Sequence, residues 1–218
     1  MRAASRLFST PARTLRNSCR LAHQFSVGLQ RRRLPHLYPE GKALFITWHL
    51  HGSLAVPLPP PPRKSSAGQA FVWLDQRLDA ARNGPIYLRQ PAVAQIVVDS
   101  IHKGVELTHF ELAAYVVMAN HVHLLIFPKI APDRLMKALK GSTAREANRI
   151  LGRTGEPFWQ KESYDHWVRN QQEFESIRAY IENNPVNAGL VRTPDEFPWS
   201  SAGVEKSLDA ARMSACAT

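Results

Sequence analysis

Two apolar, β-branched runs, 106–118 and 121–127, are separated only by Ala119-Asn120. A link that short between two extended runs permits one arrangement, a tight antiparallel pairing. The second run opens His121-Val122-His123 and continues Leu124-Leu125-Ile126-Phe127. Side chains alternate across a strand, so both imidazoles project from one face with Cα atoms roughly 6–7 Å apart. At that spacing two imidazoles can converge on one divalent ion and leave coordination positions for substrate and a further protein ligand. His49 and His51 repeat the spacing at the end of an earlier extended run, 44–51, and the sequence does not rank the two pairs. His51 precedes Gly52-Ser53 and a proline run, 57–62, which reads as an exposed loop that neither helix nor sheet accepts.

Helical periodicity marks 71–83 and 91–103. In the second, Val93, Ile96, Val97 and Ile101 give an apolar face behind a Pro91 start signal. A basic helix is expected over 132–151, and a short aromatic segment over 158–168. Asn170 opens a last helix with Glu173 as its capping-box partner, Phe174, Ile177 and Ile181 as the buried stripe, and Pro185 as its end. Strand, helices, strand, strand, helix, helix is the order of an α+β sandwich, an antiparallel sheet with helices mainly on one face.

On the last helix Tyr180 and Asn184 stand one turn apart on one face. A phenol can attack a phosphodiester and carry a DNA end. Its ordinary pKa of about 10 leaves little ionised at neutral pH, a weakness that a cation on the phosphate oxygens offsets. Asn184 can offer an amide oxygen as a third metal ligand. Taken singly, Tyr180 is equally a core-edge residue beside Ile177 and Ile181, and Asn184 a helix terminator. Tyr164, beside Asp165 and His166, is a second candidate nucleophile.

The charge balance points to a polyanion. Of 218 residues, 28 are Lys or Arg against 18 Asp or Glu, a formal net charge of +10, and nucleic acid is the commonest partner of such a chain. Lys137, Lys140, Arg145, Arg149 and Arg153 lie on or next to the basic helix, the last three at four-residue intervals that predict one stripe for backbone phosphates. Trp159, Tyr164 and Trp167 could stack on unpaired bases, although the two tryptophans fit a core better. Residues 1–39 contain no Asp or Glu and many Arg, as in a transit peptide or a disordered basic arm. The domain is expected over 40–201, with 1–39 and 202–218 as extensions. Cys19 and Cys216 lie in those extensions and suggest no disulfide framework or thiolate metal site. No run approaches the roughly 20 apolar residues of a membrane span.

Three blocks resemble the REP-associated tyrosine transposases, a branch of the single-tyrosine HUH transposases. They are Val117-Met118-Ala119-Asn120-His121-Val122-His123-Leu124-Leu125, then the segment from Phe158-Trp159-Gln160 to Trp167-Val168-Arg169, then Tyr180-Ile181-Glu182-Asn183-Asn184-Pro185-Val186-Asn187-Ala188-Gly189-Leu190-Val191. The resemblance runs from about 33 to 201. It implies a ferredoxin-like fold, His121 and His123 as metal ligands with Asn184 completing the site, and Tyr180 as nucleophile. It also implies Mg²⁺ or Mn²⁺, a 5′-phosphotyrosine with a free 3′ hydroxyl, and single-stranded DNA presented as an imperfect hairpin. Arg169, in the second block, joins the residues expected to contact DNA. An enzyme of this kind acts in the cytoplasm, at the nucleoid; a homodimer is left open. The alternative is a hairpin-DNA-binding protein of the same fold without turnover, and a third reading is a metal hydrolase that activates water and needs no tyrosine.

Overall fold

The computed structural model describes residues 41–54, 67–80 and 84–203. The basic stretch 1–39, the proline run and the tail from 204 lie outside the described residues. The elements are β1 (Leu44–His49), α1 (Ala67–Asp79), α2 (Pro91–Glu106), β2 (Phe110–Val117), β3 (His121–Pro128), α3 (Pro132–Ile150), β4 (Tyr164–Trp167) and α4 (Gln171–Asn187). The four strands form one sheet in the order β2-β3-β1-β4, and each neighbouring pair is antiparallel. With helices between β1 and β2 and between β3 and β4, this is the ferredoxin-like plan, and the expected α+β class is borne out.

The expected hairpin is the centre of the molecule. Met118 N donates to His121 O across the Ala119-Asn120 turn. β3 then pairs with β1, setting His121 opposite His49 and His123 opposite Thr47. Every residue of β3 from His121 to Ile126 is buried. A strand buried on both faces needs a layer against each, so the helices do not gather mainly on one face. Val122, Leu124 and Ile126 meet Val97 and Ile101 of α2 and Leu135 and Leu139 of α3 in one core. On the opposite face Leu125 and Phe45 meet Phe71 of α1 and Ile181 of α4. The two histidines project into this second layer.

Among the boundaries that differ from expectation, which include a first helix over Ala67–Asp79 in place of 71–83, two have a clear physical cause. Residues 106–109 are not strand: α2 runs on to Glu106, Leu107 caps it, and Thr108 turns the chain back with φ 53°. The helix carries Gly104 without breaking because the Phe110 ring lies directly over it; a Cβ there would meet Phe110 Cε1 at 2.4 Å. Gly104→Ala is therefore expected to destabilise the fold by about 1–2 kcal/mol, overpacking outweighing the ~1 kcal/mol gained in helix propensity. The check is a lower urea midpoint at unchanged slope; a raised midpoint would contradict the packing account.

The other boundary is Pro185, which does not end α4. The helix continues to Asn187, and Gly189, with φ +70°, follows its C-cap. Proline forfeits its own N–H and crowds the carbonyl of Ile181 one turn earlier, a cost confined to one turn. The carbonyls ahead of the turn still find donors, Ala188 N on Asn184 O and Leu190 N on Pro185 O. At the other end Asn170 caps as expected, its Oδ1 accepting from Glu173 N. The Glu173 carboxylate accepts from Arg169 N, one residue before the cap.

Candidate active site

Side chains from three elements converge in the α1–α4 layer. β3 supplies His121 and His123, both fully buried at 0 % exposure. α4 supplies Tyr180 and, one turn on, buried Asn184. α1 supplies Asp75, 1 % exposed, which follows Phe71 by four residues and precedes Leu78 by three on the helix's buried stripe. Asp75 Oδ1 lies 3.4 Å from His121 Nε2 and 3.2 Å from His123 Nε2. Its other oxygen, Oδ2, accepts from the Tyr180 hydroxyl and, at 3.3 Å, from Asn184 Nδ2. Asn184 Nδ2 also lies 3.4 Å from His123 Nε2. The nucleophile candidate and the metal-ligand candidates thus meet at one carboxylate.

The far side of each imidazole is held by a polar neighbour. His121 Nδ1 is 2.7 Å from Asn120 Oδ1, and His123 Nδ1 is 2.7 Å from Thr47 Oγ1. Such outer contacts orient a ligating ring, and a partner that can only accept or only donate also decides which nitrogen stays bare.

The electrostatics are those of a site that wants positive charge. Burial holds the His121 imidazole down to about 3, only partly opposed by Asp75, so the ring is neutral and can donate a lone pair. Burial alone would raise the Asp75 carboxyl, but His123, His121 and the Tyr180 hydroxyl outweigh it and hold it below its usual range, as the anion. Burial, and then the Asp75 charge, push the Tyr180 phenol above its ordinary value. Asp79, one turn beyond Asp75, is raised to about 6 by burial and by the Asp75 charge.

A divalent cation fits these residues. Asp75 Oδ1 and His121 Nε2 are buried without a hydrogen-bond partner, and such atoms are costly unless something outside the chain satisfies them. Among the described residues Asp75, His121 and His123 form the one grouping of three or more His, Cys, Asp or Glu close enough to share an ion. Two nitrogens with carboxylate and amide oxygens suit Mg²⁺ or Mn²⁺ as well as softer ions. The Asn184 amide can exchange its two ends by a half-turn that moves no other atom, which presents its oxygen beside His123.

The remaining expected residues fall outside this cluster. Lys137, Arg145, Arg149 and Arg169 are exposed. The first three lie on α3, which packs on the opposite face of the sheet from the histidines. Lys140 donates to Gln160 O, Lys161 O and Ser163 Oγ, tying α3 to the segment before β4, and burial lowers its ammonium to about 8. Arg153 lies beyond the end of α3, so the three-arginine stripe is broken; its guanidinium pairs with Glu156 and covers the Tyr87 ring at 4.5 Å. His49 faces Ser53 and His51 is exposed in the turn, so the rival pair does not converge. Tyr164 packs its ring on Phe71 at 4.6 Å between centroids. Trp159 is core and donates to Thr143 Oγ1.

A helical tyrosine beside a His-hydrophobic-His strand at the centre of a ferredoxin-like sheet is the arrangement of the HUH-type transposases. Residues 87–184, which hold both histidines, Tyr180 and Asn184, match the family described as "Transposase IS200 like". The resemblance drawn from the three sequence blocks is borne out. A solved structure described as the REP associates tyrosine transposase bound to a REP hairpin is similar to the chain at 19 % identity, covering 81 % of this chain and 86 % of the other with a TM-score of 0.52. At that identity the likeness is one of fold. A candidate transposase from Deinococcus radiodurans R1 is also 19 % identical, covering 71 % of this chain and 97 % of its own, with a TM-score of 0.34. No curated protein matches the chain. Asp75 and Thr47 lie outside the family match.

Proposed function

We propose that this chain cleaves and rejoins single-stranded hairpin DNA through a 5′-phosphotyrosine on Tyr180, in DNA transposition or repeat processing. The observation that carries it is the convergence of the Tyr180 hydroxyl with Asp75 Oδ2, while Asp75 Oδ1 and His121 Nε2 stand without hydrogen-bond partners. His121, His123 and Asp75, with Asn184, would hold Mg²⁺ or Mn²⁺, which when bound makes phosphorus more electrophilic and the leaving oxygen easier to expel. Tyr180 forms the bond to phosphorus as the bond to the 3′ oxygen breaks; the phenol loses its proton and the 3′ oxygen gains one. The free 3′ hydroxyl can then reverse the step onto the same or another end. Asp75 holds the hydroxyl in place, and the α4 backbone fixes Tyr180 and Asn184 one turn apart.

Lys137, Arg145, Arg149 and Arg169, exposed, would hold backbone phosphates away from the reacting one; Lys140 and Arg153 are already engaged within the fold. Residues 40–201 act as one transposase-like domain between the extensions 1–39 and 202–218, working on DNA in the cytoplasm, at the nucleoid. A second reading, hairpin binding without turnover, draws on the complete burial of both histidines.

The test is incubation of a labelled single-stranded hairpin oligonucleotide, taken from the DNA flanking the gene, with the protein and Mn²⁺. The expected product is a detergent-stable protein–DNA adduct whose phosphate maps to Tyr180. Binding without cleavage under Mg²⁺ or Mn²⁺ would leave the second reading.

A further inference from the structure

We infer that Asn120 is a positioning residue that sets the tautomer of His121 and docks α1, so that the strand-borne and helix-borne ligands of the metal site are assembled by one side chain. The inference rests on the metal-dependent reading above.

The geometry is a chain of forced choices. Leu78 lies in the last turn of α1, where carbonyls lack helical donors, and a carbonyl can only accept. Asn120 Nδ2 is 2.8 Å from Leu78 O. The amide must therefore present its nitrogen to Leu78 and its oxygen to the other side. That oxygen is 2.7 Å from His121 Nδ1 and can only accept, so Nδ1 carries the proton and Nε2 is left bare. Asp75 Oδ1 competes for a proton on Nε2 from 3.4 Å, but without hydrogen-bond geometry, since both atoms are partnerless. The backbone of Asn120 is fixed as well, its carbonyl accepting from Leu50 N. With the residue only 3 % exposed, water cannot readily replace either side-chain contact.

The same contact reaches the second ligand source. Leu78 is three residues past Asp75 on α1, so anchoring its carbonyl fixes the helix beside the β2–β3 turn and sets the Asp75 carboxylate against both Nε2 atoms. Among the described residues of α1, Phe71 and Leu78 are its buried apolar anchors, which leaves much of the docking to polar contacts. His123 differs. Its partner Thr47 is a hydroxyl that can donate or accept, so it orients the ring without dictating the tautomer.

The test is long-range ¹H–¹⁵N correlation of the imidazoles in the metal-free, ¹⁵N-histidine-labelled chain, alongside Mn²⁺ titration calorimetry. In wild type, His121 is expected as the Nδ1–H tautomer. Asn120→Ala is expected to lose that tautomer and to weaken Mn²⁺ binding by about 10–100-fold, the usual cost of removing an outer partner of a ligand. Asn120→Asp separates the two roles and guards against simple misfolding: it can still accept from Nδ1 but cannot donate to Leu78. It should keep the His121 tautomer while amide exchange in the last turn of α1 speeds up. Thr47→Val should leave His121 unchanged. An Nε2–H tautomer in wild type, or Asn120→Ala with unaltered tautomer and Mn²⁺ affinity, would overturn the inference. Both readouts are taken without DNA, so a protein that binds Mn²⁺ in this manner but never cleaves would refute the proposed function and leave the role of Asn120 standing.

Discussion

Tyr180→Phe is expected to lower hairpin cleavage by at least about 10⁴-fold and to eliminate the covalent adduct, because removal of a nucleophile leaves only what binding and charge stabilisation supply. The fold should persist. The phenylalanine ring keeps the edge contacts with Phe71 and His123, and the loss is one hydrogen bond to a carboxylate that Asn184 still serves, worth about 1–3 kcal/mol. Tyr164→Phe is the matched control. Its ring sits against Phe45 and Phe71 rather than against the carboxylate, so activity should stay within a few-fold of wild type. Gel separation of adduct from free oligonucleotide for both variants decides the matter. An adduct that survives in Tyr180→Phe and vanishes in Tyr164→Phe would move the nucleophile to β4. Cleavage in both without adduct would make water the nucleophile and support the metal-hydrolase reading.

The parts of this site legible in the sequence are those fixed by local geometry. Alternation along a strand places His121 and His123 on one face whatever the sheet order, and the helical repeat places Tyr180 over Asn184 whatever α4 packs on. Asp75 had a local signal too: Phe71, Asp75 and Leu78 share one helical face, and an acid on an apolar stripe is anomalous. Its partner could not be read, because nothing in the sequence says which layer α1 joins. Thr47 and Asn120 are further from reach. Their roles depend on the β1–β3 register, on the sense of the turn and on a carbonyl of α1. The basic residues failed in the other direction. Spacing gives Arg145, Arg149 and Arg153 one stripe only if the helix continues, and α3 stops at Ile150. Lys140 is spent on loop carbonyls that no periodicity predicts. Pro185 reads as a terminator in the sequence because the residue before a proline is disfavoured in helical geometry, yet α4 tolerates it near its end, where the following carbonyls are satisfied.

Asp75 also carries the second large effect, on metal binding rather than chemistry. A ligand bound only by the folded state stabilises it by about 2.7 kcal/mol at one hundred times its dissociation constant. For a chain of this size that is roughly a 5–10 °C rise in melting temperature. Wild type should show this rise when Mn²⁺ is added and lose it on chelation. In Asp75→Asn the rise should be nearly absent, because the substitution removes the one anion within 3.4 Å of both Nε2 atoms. The metal-free variant should melt within a few degrees of wild type. The asparagine oxygen still accepts from Tyr180, the side-chain volume is kept, and the desolvation cost of a buried carboxylate is relieved. Here His121 is held neutral, so that ring is not left behind as a stranded cation. The contrast between an unchanged metal-free melt and a missing Mn²⁺ shift separates a lost ligand from a damaged fold. A variant that keeps the full shift would assign the cation to His121, His123 and Asn184 alone and reduce Asp75 to a hydrogen-bond acceptor for Tyr180. Cleavage by that variant would then fall only as far as the lost orientation of the phenol requires, far short of the Tyr180→Phe defect.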